Sequence, residues 1–268
     1  MRTRIISALV LAPLVLGIIF KGGFWGMLAL LALIVPLMCR EWQRMVDHPG
    51  HWELLYLTIG GWGLLALAAD ERLAWSGAWI FIWSAMDLVR HTLTYRGVTE
   101  GARAVKQVGQ NLLGVLYVAM PLQLLMVVHG TQSGSAWILL LLLVMWSTDS
   151  AAYFTGRFFG KHKFSPHVSP KKTWEGFWGG TLAGALASVA VVQGTELPMP
   201  LIHAVGIGLI LSVAGQLGDL VESLLKRQAG IKDSGNVIPG HGGLLDRLDS
   251  MIFTAPAFYL YLSALGVT

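Results

Sequence analysis

The sequence predicts an all-α, polytopic integral membrane protein of about nine transmembrane helices, with a cytosolic N-terminus and an external C-terminus. Three observations carry this prediction. The first is a shortage of charge. Of 268 residues only 13% are charged and 54% are hydrophobic, against about 25% charged in soluble domains, so the chain lacks the polar surface a water-soluble fold needs. The same numbers exclude a disordered chain, and a lone cysteine, Cys39, excludes a disulfide scaffold. The second is a series of continuous apolar runs, long enough in most cases to cross a bilayer as helices, without the period-two alternation of a membrane barrel. The third is the distribution of Lys and Arg among the connections.

The runs are 5–20, 24–39, 54–69, 73–89, 109–128, 136–157, 174–193, 200–225 and 244–265. The first four are short enough to be tilted hairpins. The first run is read as a retained span, because no small-residue cleavage site precedes Lys21. Sixteen of the 19 Lys and Arg lie in the N-terminal tail and in the connections 40–53, 90–108, 158–173 and 226–243, counting Arg157 at a helix end. The alternate connections hold only Lys21 and Arg72, and Arg247 lies inside the last run. Basic residues stay in the cytosol, so the alternation predicts nine crossings. Residues 1–130 form an N-terminal membrane region of five spans, and 131–268 a catalytic region of four. Trp25, Trp42, Trp52, Trp75 and Trp174 sit near span ends, where interfacial anchoring accounts for them.

Ionisable groups inside spans are costly, at least about 2.5–3.5 kcal/mol at mid-bilayer, and therefore point to function. Asp149 lies in the sixth run. Asp219, Glu222, Ser223 and Lys226 follow helical spacing on one face of the eighth, and Asp246, Arg247 and Asp249 open the ninth. All fall in the half of the membrane facing the cytosol. Five clustered carboxylates repel one another unless cations lie among them, and hard divalent cations such as Mg²⁺ take oxygen ligands together with substrate phosphate. The alternative is structural pairing with Lys226 or Arg247. Asp87, beside Arg90, reads as a paired or solvated interface residue.

Two adjoining loops suit phosphate. PGHGGLLDR (239–247) sets glycines around His241 at the start of a helix, where backbone N–H groups and the dipole favour an anion. SPKKTWEG (169–176) puts Lys171 and Lys172 ahead of the seventh span, with Thr173 as its N-cap. The alternative reading of the two lysines is plain positive-inside topology, and that of His241 a turn histidine bonded to backbone. The basic connection from Arg90 to Lys106 is read as lying on anionic headgroups.

From Ser223 to Asp249 the chain reads SLLKRQAGIKDSGNVIPGHGGLLDRLD. This resembles the signature of the phosphatidate cytidylyltransferase (CDP-diacylglycerol synthase) family: Ser, any, apolar, Lys-Arg, four residues, Lys-Asp, any, small, two residues, apolar, Pro, any, His-Gly-Gly, two residues, Asp-Arg, apolar, Asp. WSTDSAAYFTGRFFGK and SPKKTWEG are similar to further family motifs, and the compact length resembles the bacterial form. The resemblance implies transfer of CMP from CTP to phosphatidic acid, dependence on Mg²⁺, a possible second monovalent cation such as K⁺, and a homodimer. It implies Asp219 and Asp246 as metal ligands. Asp219, Asp246, Lys226, Arg247 and Asp249 are then expected in catalysis. Asp149, Ser169, Lys171, Lys172, Thr173, Glu222, Ser223, Lys232, Asp233, His241, Gly242 and Gly243 are expected at the substrates. The expected partners are CTP, phosphatidic acid and membrane lipids, with no nucleic acid. The expected location is the bacterial cytoplasmic (inner) membrane with the site facing the cytosol. A cation-coupled transporter is the alternative from another class, but acids biased to one face count against it. A related lipid-phosphate nucleotidyltransferase or polyprenol kinase is a third reading, and the Ser223–Asp249 motif argues against the kinase.

Overall fold

The computed structural model describes residues 2–46, 50–95, 97–195, 197–238, 240 and 242–268; His241 and Arg96 therefore lie outside the described residues. Each apolar run becomes helix. In order these are α1 (Arg2–Lys21), α2 (Gly23–Met45), α3 (His51–Ala69), a 3₁₀ turn (Leu73–Trp75) leading into α4 (Ser76–Leu93), and α5 (Val98–Gly114). A π turn (Val115–Ala119) joins α5 to α6 (Met120–Gly130), and then come α7 (Gly134–Phe159), α8 (Trp174–Thr195), α9 (Leu201–Gln228) and α10 (Leu245–Ala264). Six described helices are long and apolar enough to cross a membrane: α2, α3, the continuous stretch Arg103–Gly130, α7, α8 and α9. Asp246, Arg247 and Asp249 dilute the hydropathy of α10.

Two features depart from the reading of apolar runs. α5 begins eleven residues before the fifth run, at Val98, because VTEGARAVKQVGQN repeats apolar residues at helical spacing although its average is polar. The second departure from an all-α chain is an antiparallel hairpin between α7 and α8. It pairs β1 (Lys163–Ser165) with β2 (Ser169–Thr173) through Lys163↔Thr173 and Ser165↔Ser169. Lying beyond the helix ends, this segment can satisfy its backbone partly by pairing and partly by water, an option closed to strands in hydrocarbon.

Small residues let the last helices approach backbone to backbone, as membrane helices do. Gly176, Gly180 and Gly184 form a stripe on α8. A Cβ on Gly180 would come within 2.8 Å of the Thr148 carbonyl oxygen on α7, and one on Gly208 of α9 within 2.6 Å of Ala185 Cα on α8. Thr148 Oγ1 donates to Ser212 Oγ at 2.9 Å, joining α7 to α9 beside this seam. One buried apolar cluster then runs through both halves of the chain, including Val35, Met38, Val118, Trp137, Leu141, Ile207 and Phe258.

Contacts gather the C-terminal turns of α2, α4 and α9 with the last turns of α5, with β2 and with the first turn of α10. Trp42 Nε1 donates to the Gln110 carbonyl (3.1 Å), Asn111 Nδ2 to Asp87 (2.8 Å), Lys172 pairs with Asp219 (2.9 Å) and Lys226 with Asp246 (2.7 Å). These are the ends that carry the basic connections. Asp87 is fully buried and paired with Arg90 at 2.9 Å, so of the two alternatives its sequence context allowed, pairing holds.

Candidate active site

A cavity of about 720 Å³ opens at this gathered end. Nine of the residues expected at the site line it: Asp149, Ser169, Lys171, Lys172, Thr173, Asp219, Asp246, Arg247 and Asp249. They arrive from four separate elements. α7 supplies Asp149 from its second half, β2 the two lysines, α9 Asp219, and the start of α10 Asp246 and Asp249. Thr173 caps α8: its Oγ1 accepts the Gly176 N–H three residues on, at 3.2 Å. That cap fixes where the strand bearing Lys171 and Lys172 stops and the helix begins.

The acids are neutralised unevenly. Asp219 Oδ2 pairs with Lys172 Nζ at 2.9 Å, and the same ammonium donates to the Gln216 carbonyl at 3.1 Å. Asp219 Oδ1 accepts from Ser223 Oγ at 3.2 Å. Asp249 Oδ1 accepts from the backbone N–H and hydroxyl of Ser250, at 2.6 and 3.2 Å. Asp149 has no ion pair or hydrogen bond to its carboxylate among the described residues, yet it shares the cavity wall with Asp219 and Asp249 and feels the charge of both.

Asp246 is the most heavily engaged. Its Oδ1 accepts from Lys226 Nζ at 2.7 Å; its Oδ2 accepts from the N–H of Ser234 (2.9 Å), the N–H of Gly243 (2.8 Å) and Ser234 Oγ (3.0 Å). The carboxylate thus folds the loop between α9 and α10 back onto the helix start. Glycine is needed at the crossing point. Gly242 has φ +87°, and a Cβ there would meet Asp246 Oδ2 at 2.9 Å. The loop leaves α9 through a Schellman turn, with Gly230 at φ +68° and the Ile231 N–H bonded to the Lys226 carbonyl at 3.0 Å.

Among the described residues, the other expected ones do not line the cavity. Lys226 turns to Asp246 and lies 3.4 Å from Oε2 of Glu222. Glu222 is fully buried, with Oε2 facing the Lys226 ammonium and its carboxyl against that of Asp249. The polar face of α9 therefore divides: Asp219 and Ser223 stay together, while Glu222 and Lys226 point toward the loop and α10. Lys232 and Asp233 are exposed in the loop, where Gly242 and Gly243 also lie.

Two residues at or under the cavity escaped the sequence reading. Arg157 served only as a topology marker, yet it lines the cavity; Nη1 donates to the Tyr153 hydroxyl at 2.9 Å, the guanidinium carbon lies 6.0 Å from that ring's centre, and it has no carboxylate partner among the described residues. Its spacing of eight from Asp149 on one helix face was the available signal. Glu41 was placed in a connection because the second run stops at residue 39. It is 1% exposed, with its carboxylate on the N-terminus of α10. The buried series Met38, Glu41, Trp42 and Met45, at i, i+3, i+4 and i+7, was the available signal for that burial.

Fold and cavity together define a polytopic membrane enzyme whose site combines carboxylates with cations suited to phosphate-bearing substrates. The chain matches the cytidylyltransferase family over residues 2–265 and belongs to it. It is 42% identical over 180 residues to the phosphatidate cytidylyltransferase of Bacillus subtilis (strain 168), a match covering 67% of each chain. It is 34% identical over 271 residues to that of Staphylococcus aureus (strain COL), covering 98% of this chain and 99% of the relative. The enzyme of Staphylococcus epidermidis (strain ATCC 12228) is 35% identical over 270 residues, with the same coverage.

Proposed function

We propose that this chain is a CTP:phosphatidate cytidylyltransferase. It transfers CMP from CTP to phosphatidic acid, giving CDP-diacylglycerol and pyrophosphate. The observation that carries the reading is the single cavity in which Asp149, Asp219 and Asp249 meet Lys171, Lys172, Arg157 and Arg247. A phosphate oxygen of phosphatidic acid, already ionised at neutral pH, attacks the α-phosphorus of CTP. The new P–O bond forms as the bond to the pyrophosphate oxygen breaks, and pyrophosphate leaves with the electron pair. No general base is required. The obstacle is the approach of two anions, so positive charge and positioning do the catalysis. Lys172 is placed to exchange its bond with Asp219 for a phosphate oxygen. Lys171, Arg157 and Arg247 are placed to receive the lipid phosphate or the leaving pyrophosphate.

The donor set fits a hard divalent cation. Its carboxylate oxygens are the ligand type Mg²⁺ takes, together with waters and substrate phosphates. Asp219 and Asp246 are assigned as its protein ligands; the ion would neutralise CTP phosphate charge and polarise the α-phosphorus. A monovalent cation such as K⁺ is assigned to the same acidic region. The three carboxylates Asp149, Asp219 and Asp249 on one cavity wall support an added positive charge there. On this reading the chain crosses the bacterial cytoplasmic membrane nine times as a homodimer, with the cavity at the cytosolic leaflet. The alternation of basic connections and their convergence at the cavity end support that orientation.

The test is direct. Purified protein with CTP, phosphatidic acid and Mg²⁺ should form CDP-lipid and pyrophosphate, read by mass spectrometry. No product with either CTP or dCTP would refute the assignment. Protease access to the 158–173 connection, or labelling of a cysteine introduced there, from the cytosolic face alone would bear out the orientation.

A further inference from the structure

The start of α10 poses a problem that its own sequence leaves unsolved. The first N–H groups of a helix have no intrahelical acceptor. Here the N-cap position is Leu244, which has no side-chain acceptor, and the preceding residue is Gly243. Yet this turn carries Asp246 and Asp249 into the cavity.

The missing acceptor comes from α2. Glu41 Oε1 accepts the Leu244 N–H at 2.9 Å, and Oε2 accepts the Leu245 N–H at 2.8 Å and Ser234 Oγ at 3.1 Å. Ser234 Oγ also lies 3.0 Å from Asp246 Oδ2, so one hydroxyl is shared between the two carboxylates. Glu41 and Asp246 thus grip the loop from opposite sides. Glycine is required between them: a Cβ on Gly243 would lie 2.7 Å from both Glu41 Oε2 and the Gly235 nitrogen.

We infer that Glu41 is a positioning residue for the cytidylyl transfer. It caps α10 in trans, ties Ser234 to the Leu244–Leu245 turn, and thereby sets the placement of Asp246 and Asp249 at the cavity. The role rests on the cytidylyltransferase reading, but the geometry does not. The negative charge also faces the positive end of the α10 dipole, a favourable arrangement. Glutamine in its place keeps the shape and loses the function: its amide oxygen can serve one backbone N–H, while its amide nitrogen, a donor, then faces the other.

The experiment compares Glu41→Gln with Gln123→Ala. Gln123 is an equally buried anchor, donating to the Leu64 carbonyl (2.9 Å) and Ser76 Oγ (2.7 Å) away from the cavity. Glu41→Gln is expected to lower kcat about 10- to 100-fold, the scale of an ångström-level misplacement, with KM for CTP changed by less than about threefold. Amide exchange should accelerate in 234–247 and not in 136–159. Gln123→Ala should lose thermal stability with kcat preserved. A kcat for Glu41→Gln within about twofold of the parent, or exchange rising equally in all helices, would overturn the inference. Were the parent itself inactive on CTP and phosphatidic acid, the functional reading would fall, and the exchange comparison alone would decide whether Glu41 holds the loop.

Discussion

Replacing Asp246 by Asn tests the site at its most connected residue. The pair with Lys226 is nearly inaccessible, with side chains 8% and 13% exposed, and its oxygen–nitrogen distance is 2.7 Å. Asn can keep its one oxygen toward the Ser234 and Gly243 N–H groups, where three of the four contacts lie. Its amide nitrogen then faces the Lys226 ammonium, donor against donor. Breaking one side of such a buried pair costs about 3–5 kcal/mol. The Glu222 carboxylate, 3.4 Å from the same ammonium, offsets part of this, so a loss of about 2–3 kcal/mol is expected, the range of a charge-assisted hydrogen bond. Lys226→Met removes the other partner, and the double variant removes the mismatch altogether. In a double-mutant cycle followed by thermal unfolding in micelles, the two changes should couple by about 2 kcal/mol, well above the additivity limit of about 0.5 kcal/mol. CDP-lipid formation, assayed alongside, should stay below about 1% of the parent in both variants that carry Asn, because recovered stability does not restore the carboxylate. Additive stabilities would refute the pairing argument. Turnover within tenfold of the parent would remove Asp246 from the chemistry.

Three further outcomes are expected. Lys172→Met strips Asp219 of its 2.9 Å partner and should reduce product formation about 100-fold with the protein still folded, as near-UV circular dichroism would check; activity within a few-fold of the parent would make Lys172 a topology marker only. Gly208→Ala pushes a methyl to within 2.6 Å of Ala185 Cα and should cost about 1–3 kcal/mol by overpacking, read as a fall in melting temperature. Chelation with EDTA should abolish CDP-lipid formation and added Mg²⁺ should restore it, whereas turnover that persists in EDTA would exclude the proposed divalent ion.

What the sequence made legible was a set of charged residues that the fold brings to one cavity. Asp149, Asp219, Asp246 and Asp249 stood out because charge inside an apolar helix is costly, the Lys171–Lys172 pair because it sits in a loop just ahead of a span, and nine of the expected residues line one cavity. The division of labour among them was not legible. Helical spacing put Asp219, Glu222, Ser223 and Lys226 on one face, but that face is broad enough for two neighbours. Which side chain meets the cavity and which meets α10 depends on how α9 is rotated by its packing at Gly208 against α8. The hairpin at 163–173 was hidden for a different reason: SPKKT carries no alternating apolar pattern, and its pairing closes only when α7 and α8 bring its ends together.

The sequence alone determined that this is a helical membrane protein, where its helices run, which ends carry the positive charge, and which family signature it bears. Those properties are local, set by apolar length and by the cost of each charge in hydrocarbon. The tertiary structure decided which acid meets which cation, that Arg157 faces the cavity, and that Glu41 caps a helix 203 residues away. Those are properties of contact between distant segments, and a buried carboxylate shows its purpose only when the N–H groups it serves are in place.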